Sequence, residues 1–325
     1  MISTREMLAA LAACAFVMLS GGLGAQPYPA KAIRVVVPYA PGGATDLTAR
    51  LVGQKMQEAM KQNVLIDNRP GAGGVIGADI VAKAVPDGYT VLIAVPAEMV
   101  ILPHLQKMPY NVSRDFATVS LAAVTPLILV VHPSLPVKSV KELVAFVKAR
   151  PKQLSYASAG TGGVQHLAGE LFKITMKLDM THVPYKGAGP VMPDLIGGHV
   201  PMFFSGMPPA MPHVKANKLR ALAVTTTRRS AAAPAVPTME EAGVPGFDIS
   251  NWFAYFVPAG TAADVVNRLN AEINRGLAQP DVKEKLANVG AETVGTTPPD
   301  LAKFVRAESD KFEKLIRLSG AKGTD

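Results

Sequence analysis

VVVPYAPGGATDLTARL, residues 35 to 51, is the stretch on which the reading of this chain turns. Val35, Val36 and Val37 are a β-branched apolar run, which favours a buried strand. Pro38 and Pro41 stop that strand, and Gly42 and Gly43 permit a tight turn. Thr45 or Asp46 then suits a helix N-cap, and Leu47, Leu51, Met56 and Met60 follow at roughly helical spacing. Strand, glycine turn and helix N-terminus bring unpaired backbone N–H groups to one spot, where the helix dipole also favours negative charge. An anion is the natural guest. A plain βα connection with glycine for clearance produces the same string.

Working outward, strand-like runs alternate with helical ones, which argues for a parallel α/β architecture. Strands are expected near 64–66, 90–95, 125–132, 154–158, 180–183, 200–204, 219–225 and 249–257. Residues 68–78 read as a turn entering a second helix. Ser139, with Glu142 three residues on, has the capping-box pattern. Helices are expected over 264–278, 281–289 and 299–318, and residues 234–245 form a proline-rich connection. The strand–glycine–helix unit recurs as AGTGGVQHLAGELF, residues 159 to 172, directly after the strand at 154–158. Two copies far apart suggest one per lobe. The strong strands at 125–132 and 249–257 place the division near 125 and 250. Residues 26–124 and 250–325 then make one lobe, and 125–249 the other.

The chain has 325 residues and a formal net charge of +8, ample for a packed core. A diffuse positive field suits acidic solutes. Lys and Arg are scattered, with no block of the kind that marks a nucleic-acid tail. Residues 1–25 read as a secretory signal: Arg5, an apolar core from Met7 to Leu19, then small residues ending at Ala25. Cleavage is expected after Ala25, although Leu23 fits that site poorly. Leu11-Ala12-Ala13-Cys14 resembles a lipoprotein box, but the apolar run continues past it. Cys14 is the single cysteine, so a chain cut after Ala25 has no disulfide.

Catalytic and cofactor motifs are missing. In GAGGVIG, Gly71, Gly73 and Gly77 put the last glycine one place late for a dinucleotide fingerprint. There is no phosphate-loop motif, and neither Ser158 nor Ser205 sits in a nucleophile elbow. The six histidines include no metal-ligand spacing. His166, just after the second glycine turn, can cap, pack or face a cleft. No cofactor, metal or enzymatic activity is expected.

Eight motifs follow one another in order: VVVPYAPGGATDLTAR, DNRPGAGGVIGA, PDGYTVLIA, YASAGTGGVQHLAGE, VPYKGAGP, LIGGHV, PTMEEAG and WFAYFVPAGT. Together they resemble the extracytoplasmic solute receptors of the tripartite tricarboxylate transporter group, the Bug receptors. The resemblance implies an α/β, type II periplasmic-binding-protein fold, with two lobes closing over a ligand cleft. It also implies a monomer in a Gram-negative periplasm, a small carboxylated solute, and inner-membrane transporter subunits as partner. A periplasmic sensor with the same cleft is the second reading, and an α/β enzyme a distant third.

Carried over by motif, Tyr39, Pro41, Gly42, Gly43, Thr45 and Asp46 would form the carboxylate turn of the first lobe. Ser158, Gly160, Thr161 and Gly162 would form the facing turn of the second. Tyr185, Lys186 and Gly187 would lie at the cleft edge. The chain departs from the family pattern twice. Val95-Pro96-Ala97-Glu98 replaces small polar residues after the strand at 90–94. Pro201 and Ser205 stand where the strand at 200–205 often carries aspartate, which disfavours ligands with an amine or a hydroxyl. Ser205 remains a candidate contact. Glu98 would repel a carboxylate and is expected to point away. Met99, Met202 and Met207 give either a more apolar, adaptable pocket or, the preferred reading, part of the core.

Overall fold

The computed structural model describes residues 28–185 and 188–321. The signal segment with Cys14, and the candidate site residues Lys186 and Gly187, lie outside the described residues. Strand β1 (Ile33–Val37) is followed by helix α1 (Ala44–Met60), β2 (Val64–Asn68), α2 (Val75–Ala82) and β3 (Thr90–Ala94). A single π-turn, Ala97–Ile101, leads towards β4 (Phe116–Val131). Then come α3 (Val140–Lys148), β5 (Ser155–Ser158), α4 (Val164–Met176), β6 (Thr181–Pro184) and α5 (Ala188–Ile196). They lead to β7 (Met202–Gly206), α6 (Met207–Lys215), β8 (Arg220–Val224) and β9 (Ser250–Pro258). Helices α7 (Ala263–Leu277) and α8 (Pro280–Asn288), the short β10 (Glu292–Thr293) and α9 (Pro298–Ser319) complete the chain.

β1 is buried because it has a partner on each edge and cover on each face. It runs parallel to β2 and β3. Val35 and Val37 pack with residues of α1 and α7, while Val36 faces the opposite cluster. A parallel strand covered on both faces needs β-branched residues at every position, which explains the unbroken valine run.

The long strand β4 joins the two halves of the sheet. From Phe116 to Pro126 it pairs antiparallel with β9, and from Leu127 to Val131 with β7 and β8. Pro126 stands at the change of partner, where its missing N–H costs the ladder least. The path through the sheet is β2-β1-β3-β9-β4-β7-β5-β6, with β8 and β10 each also pairing β4. Parallel βα units therefore flank a pair of antiparallel crossing strands.

One expectation about elements changes, and one helix, α6, has no counterpart among the expected elements. The strand expected at 125–132 begins at Phe116, nine residues earlier. Its early part alternates Ala, Thr and Ser with apolar residues and lacks the dense run that marks Leu127 to Val131. Helix α6 carries Pro208 and Pro209 in its first turn and Pro212 inside. The leading prolines occupy positions whose N–H groups have no intrahelical acceptor, so a helix forms where the prolines masked its period.

Candidate functional site

Two turns of the same construction open onto one cavity of about 710 Å³. In the first, Gly42 has φ +90 and Gly43 is the N-cap of α1, with extended backbone and no side-chain cap. The expected cap at Thr45 or Asp46 is thus corrected by two or three residues. The left-handed Gly42 swings the chain straight into the helix. Asp46, already inside it, reaches back so that its Oδ2 accepts from the Gly42 N–H at 2.9 Å. Arg50 Nε donates to the same oxygen at 2.9 Å, and Asn68 Nδ2 to Oδ1 at 3.0 Å. Burial alone would raise the Asp46 carboxyl, but these donors together hold it below the usual carboxylate range.

The second turn repeats the plan. Gly162 has φ +78, and Gly163 is the uncapped, extended N-cap of α4. The acceptor four residues on is now His166, whose Nδ1 takes the Gly162 N–H at 3.1 Å. Ser158 Oγ accepts from the Gly160 N–H at 3.1 Å and lies 2.6 Å from His182 Nε2. His182 stacks between His166, 4.0 Å between centroids, and Tyr156, 5.0 Å away. Burial lowers both histidines, and His166 adds to the effect on His182, which falls to about 4. Both are therefore neutral at pH 7, and His166 keeps a lone pair for the turn.

In each turn the leading glycine N–H is consumed by a side chain of the helix. The next N–H groups, at the uncapped helix start, have no intrahelical acceptor. Gly43, Ala44 and Thr45 line the cavity from one side, and Gly162, Gly163 and Val164 from the other. The floor comes from the crossing strands: Thr125 and Leu127 of β4, Asn251 and Phe253 of β9. Among the described residues, no charged side chain lines it. A larger cavity of about 1030 Å³ lies beside Tyr110, Phe116 and Phe256. It reaches neither glycine turn nor the junction of the two sheet halves, so we assign the site to the smaller one.

Of the candidate residues, Tyr39, Gly42, Gly43, Thr45, Gly160, Thr161 and Gly162 line the cavity. Pro41, Asp46, Ser158, Tyr185 and Ser205 do not. Asp46 and Ser158 hold their turns from behind. Tyr185 turns its hydroxyl to Asp194 Oδ2 at 2.7 Å. Ser205 is fully buried and donates to Gly206 O at 3.0 Å, while Gly206 itself reaches the cavity. Thr125, Asn251, Gln165, Pro208 and Pro209 line the cavity without having been singled out in the sequence. Asparagine is depleted in strands, so Asn251 at the head of WFAYF was an available signal.

Tyr39 closes one wall. Its hydroxyl donates to Glu98 Oε2 at 2.7 Å, and Glu98 Oε1 accepts from the Val95 N–H at 2.8 Å. Glu98 is fully buried behind Tyr39, while Val95 and Ala97 line the cavity. Met202 and Met207 are buried in the core clusters. Burial raises the Glu98 carboxyl from its ordinary 4.5 to about 7, against the Tyr39 and Val95 hydrogen bonds, which favour the charged form. The folded value lies above the unfolded one. The contribution to stability is therefore complete below about pH 4.5 and drains away as pH rises through about 7. Glu98→Gln keeps an acceptor for Val95 and removes the charge. We expect it to stabilise the protein by on the order of 2 kcal/mol at pH 8 and to change little at pH 5, read by urea unfolding. Equal effects at both pH values would rule out a titrating Glu98.

A family model for the tripartite tricarboxylate transporter family receptor matches residues 48–321. The chain is 39% identical over 306 residues to protein BugT of Bordetella pertussis, covering 94% of this chain and 94% of that one. It is similar to a solved periplasmic transporter, with a TM-score of 0.80 and 40% identity over 91% of this chain and 99% of the other. Rpa4515 of R. palustris, solved with adipate, gives a TM-score of 0.81 and 37% identity, again over 91% and 99%.

Proposed function

Because this chain belongs to the tripartite tricarboxylate transporter receptor family, we propose that its cavity takes a small dicarboxylate, one carboxylate against each glycine turn. The protein is a periplasmic receptor that captures a carboxylated metabolite for a tripartite membrane transporter. The observation that carries the site reading is the pair of uncapped helix N-termini opening onto one cavity. Backbone N–H groups and two dipoles can hold carboxylates there without an arginine, and ordered water can complete the contacts. The cavity volume suits a ligand of this size.

The lobes are residues 26–124 with 250–325, and 125–249. The change of partner along β4 at Pro126 and the start of β9 at Ser250 support that division. Closure would bend these two crossing strands and bring the turns together over the ligand. Lys186 and Gly187 are kept as contacts at the cleft edge, the receptor as a monomer, and residues 1–25 as a removed signal. Delivery to a transporter is preferred over signalling or turnover because the family is one of transport receptors.

A thermal-shift screen of aliphatic diacids tests the reading. Ligand at a hundred times its dissociation constant stabilises the folded state by about 2.7 kcal/mol, a shift of several degrees. Adipate and its near homologues should give that shift. A flat response to every diacid up to millimolar concentration would overturn the dicarboxylate assignment.

A further inference from the structure

A buried glutamate stands one side chain behind the cavity wall. Tyr39, Gly73, Val95 and Ala97 all line the cavity, and Glu98 sits behind them with no exposed surface. Among the described residues its carboxyl group meets the Tyr39 hydroxyl and the Val95 N–H, and no cation pairs with it. The turn at Gly74 packs directly against it: a Cβ there would stand 2.9 Å from Oε2. The ionisable groups that face it from the surrounding elements are committed elsewhere. Asp79 of α2 pairs with Lys83, and Glu308 of α9 with Lys311 and the Trp252 indole. Tyr110 donates to the Glu98 carbonyl, and His104 bonds Ser309.

A count of hydrogens locates a proton here. The Tyr39 hydroxyl carries one hydrogen and has two acceptors, Glu98 Oε2 at 2.7 Å and Gly73 O at 3.1 Å. An ionised Glu98 has no hydrogen to give. Tyr39 then serves one acceptor, and its other contact joins two oxygen lone pairs. A protonated Glu98 satisfies all of them. Its Oε2–H donates to Tyr39, Tyr39 donates to Gly73 O, and Oε1 still accepts from Val95. Burial acts in the same direction, raising the carboxyl to about 7.

We infer that Glu98 is a proton-bearing positioning residue: its carboxyl proton fixes the Tyr39 hydroxyl at the cavity wall, and capture of a dicarboxylate is linked to keeping that proton. This rests on the dicarboxylate reading above. Ionised, Glu98 puts a negative charge behind Tyr39, where a wall of low dielectric screens its repulsion of an anion poorly. The Tyr39 hydrogen also turns from Gly73 to Glu98. A bound dianion in turn favours the protonated carboxyl. Affinity therefore falls as pH rises through about 7, and binding above that pH takes up a proton from solvent. A one-unit rise of the carboxyl on binding corresponds to a tenfold range of affinity. The other groups beside the cavity keep their charge over this range. Asp46, held low by its donors, stays ionised, and His166 and His182, both lowered by burial, stay neutral.

Titration calorimetry with adipate from pH 6 to pH 8.5, where the diacid itself is ionised, tests the link. Two buffers of different ionisation enthalpy let the same titrations count protons. The parent should lose about tenfold in affinity across the range and take up a fraction of a proton near pH 7.5. Glu98→Gln puts an amide where the protonated carboxyl stood, with an N–H for Tyr39 and an oxygen for Val95. This variant should bind at pH 8.5 as tightly as the parent does at pH 6, with a flat profile and no proton uptake. A parent affinity that stays flat over the range overturns the link. So does a Glu98→Gln profile that falls like the parent's. Both results leave the dicarboxylate reading standing. A Glu98→Gln variant that melts well below the parent at pH 8.5 also overturns it, since an amide should replace a neutral carboxyl without loss. If neither adipate nor its homologues bind the parent, the dicarboxylate reading fails and the link with it.

Discussion

Gly43→Asp is expected to leave the protein folded and to weaken dicarboxylate binding a hundredfold or more, about 2.8 kcal/mol. Gly43 has φ −79, and a Cβ there meets nothing within 4 Å, so no strain opposes a side chain. Gly43 is also the N-cap of α1, and aspartate is among the best residues for that position. Its carboxylate would accept the N–H groups of the first helical turn. Those are the groups that a ligand carboxylate would use, so the variant supplies its own competitor and adds a repelling charge. Stability should hold or rise slightly while affinity collapses.

The equivalent change in the second turn is Gly163→Asp. Gly163 has φ −81, and an added Cβ makes only ordinary contacts, 3.5 Å from Gln165 Oε1 and 3.7 Å from Gly160 O. Gly162 would be a poor choice: its φ is +78, and a Cβ would come within 2.8 Å of Leu105 Cδ1. Loss of binding there could be structural. Circular dichroism establishes folding and calorimetry reads affinity. Should both N-cap variants fold and bind adipate as tightly as the parent, the glycine turns are not the carboxylate sites.

The two turns were legible in the sequence because their chemistry is local. A β-branched run, a proline stop, paired glycines and an apolar helical period all lie within one short stretch. Local strings do not say which way a side chain turns. Asp46 and His166 look like ligand contacts by position, yet both turn back to the glycine four residues earlier. Ser205 reads as a polar residue at a strand end, but β7 is covered on both faces and its hydroxyl bonds its own neighbour. Thr125 and Asn251 become a pair only through the β4–β9 register. That pairing is set by residues more than a hundred positions apart, which no local period encodes. The prolines of α6 failed differently: the residues that signal a break in mid-helix are tolerated in a first turn.

The same register separates stability from binding at the next residue of β9, and Trp252→Ala measures that separation. Asn251 and Phe253 face the cavity, so Trp252 faces the other way, and its side chain is fully buried. It packs edge-on against Phe304 of α9, 5.7 Å between centroids, and shares a core cluster with Phe312 and Leu315 of that helix. Its Nε1 donates to Glu308 Oε2 at 3.1 Å, and Lys311 pairs with the other oxygen of Glu308. Removing the indole opens a large cavity and leaves one buried carboxylate oxygen without its donor. A loss of about 4 kcal/mol is expected. Trp252→Phe keeps most of the packing and gives up the N–H, for about 1–2 kcal/mol. Both are read by urea unfolding followed by circular dichroism, since the changes remove the chain's single tryptophan. Diacid affinity, measured where the variants are fully folded, should stay within twofold of the parent. A tenfold drop in affinity for a folded Trp252→Ala would mean that the two faces of β9 are coupled, and the cavity floor would then depend on how α9 is docked.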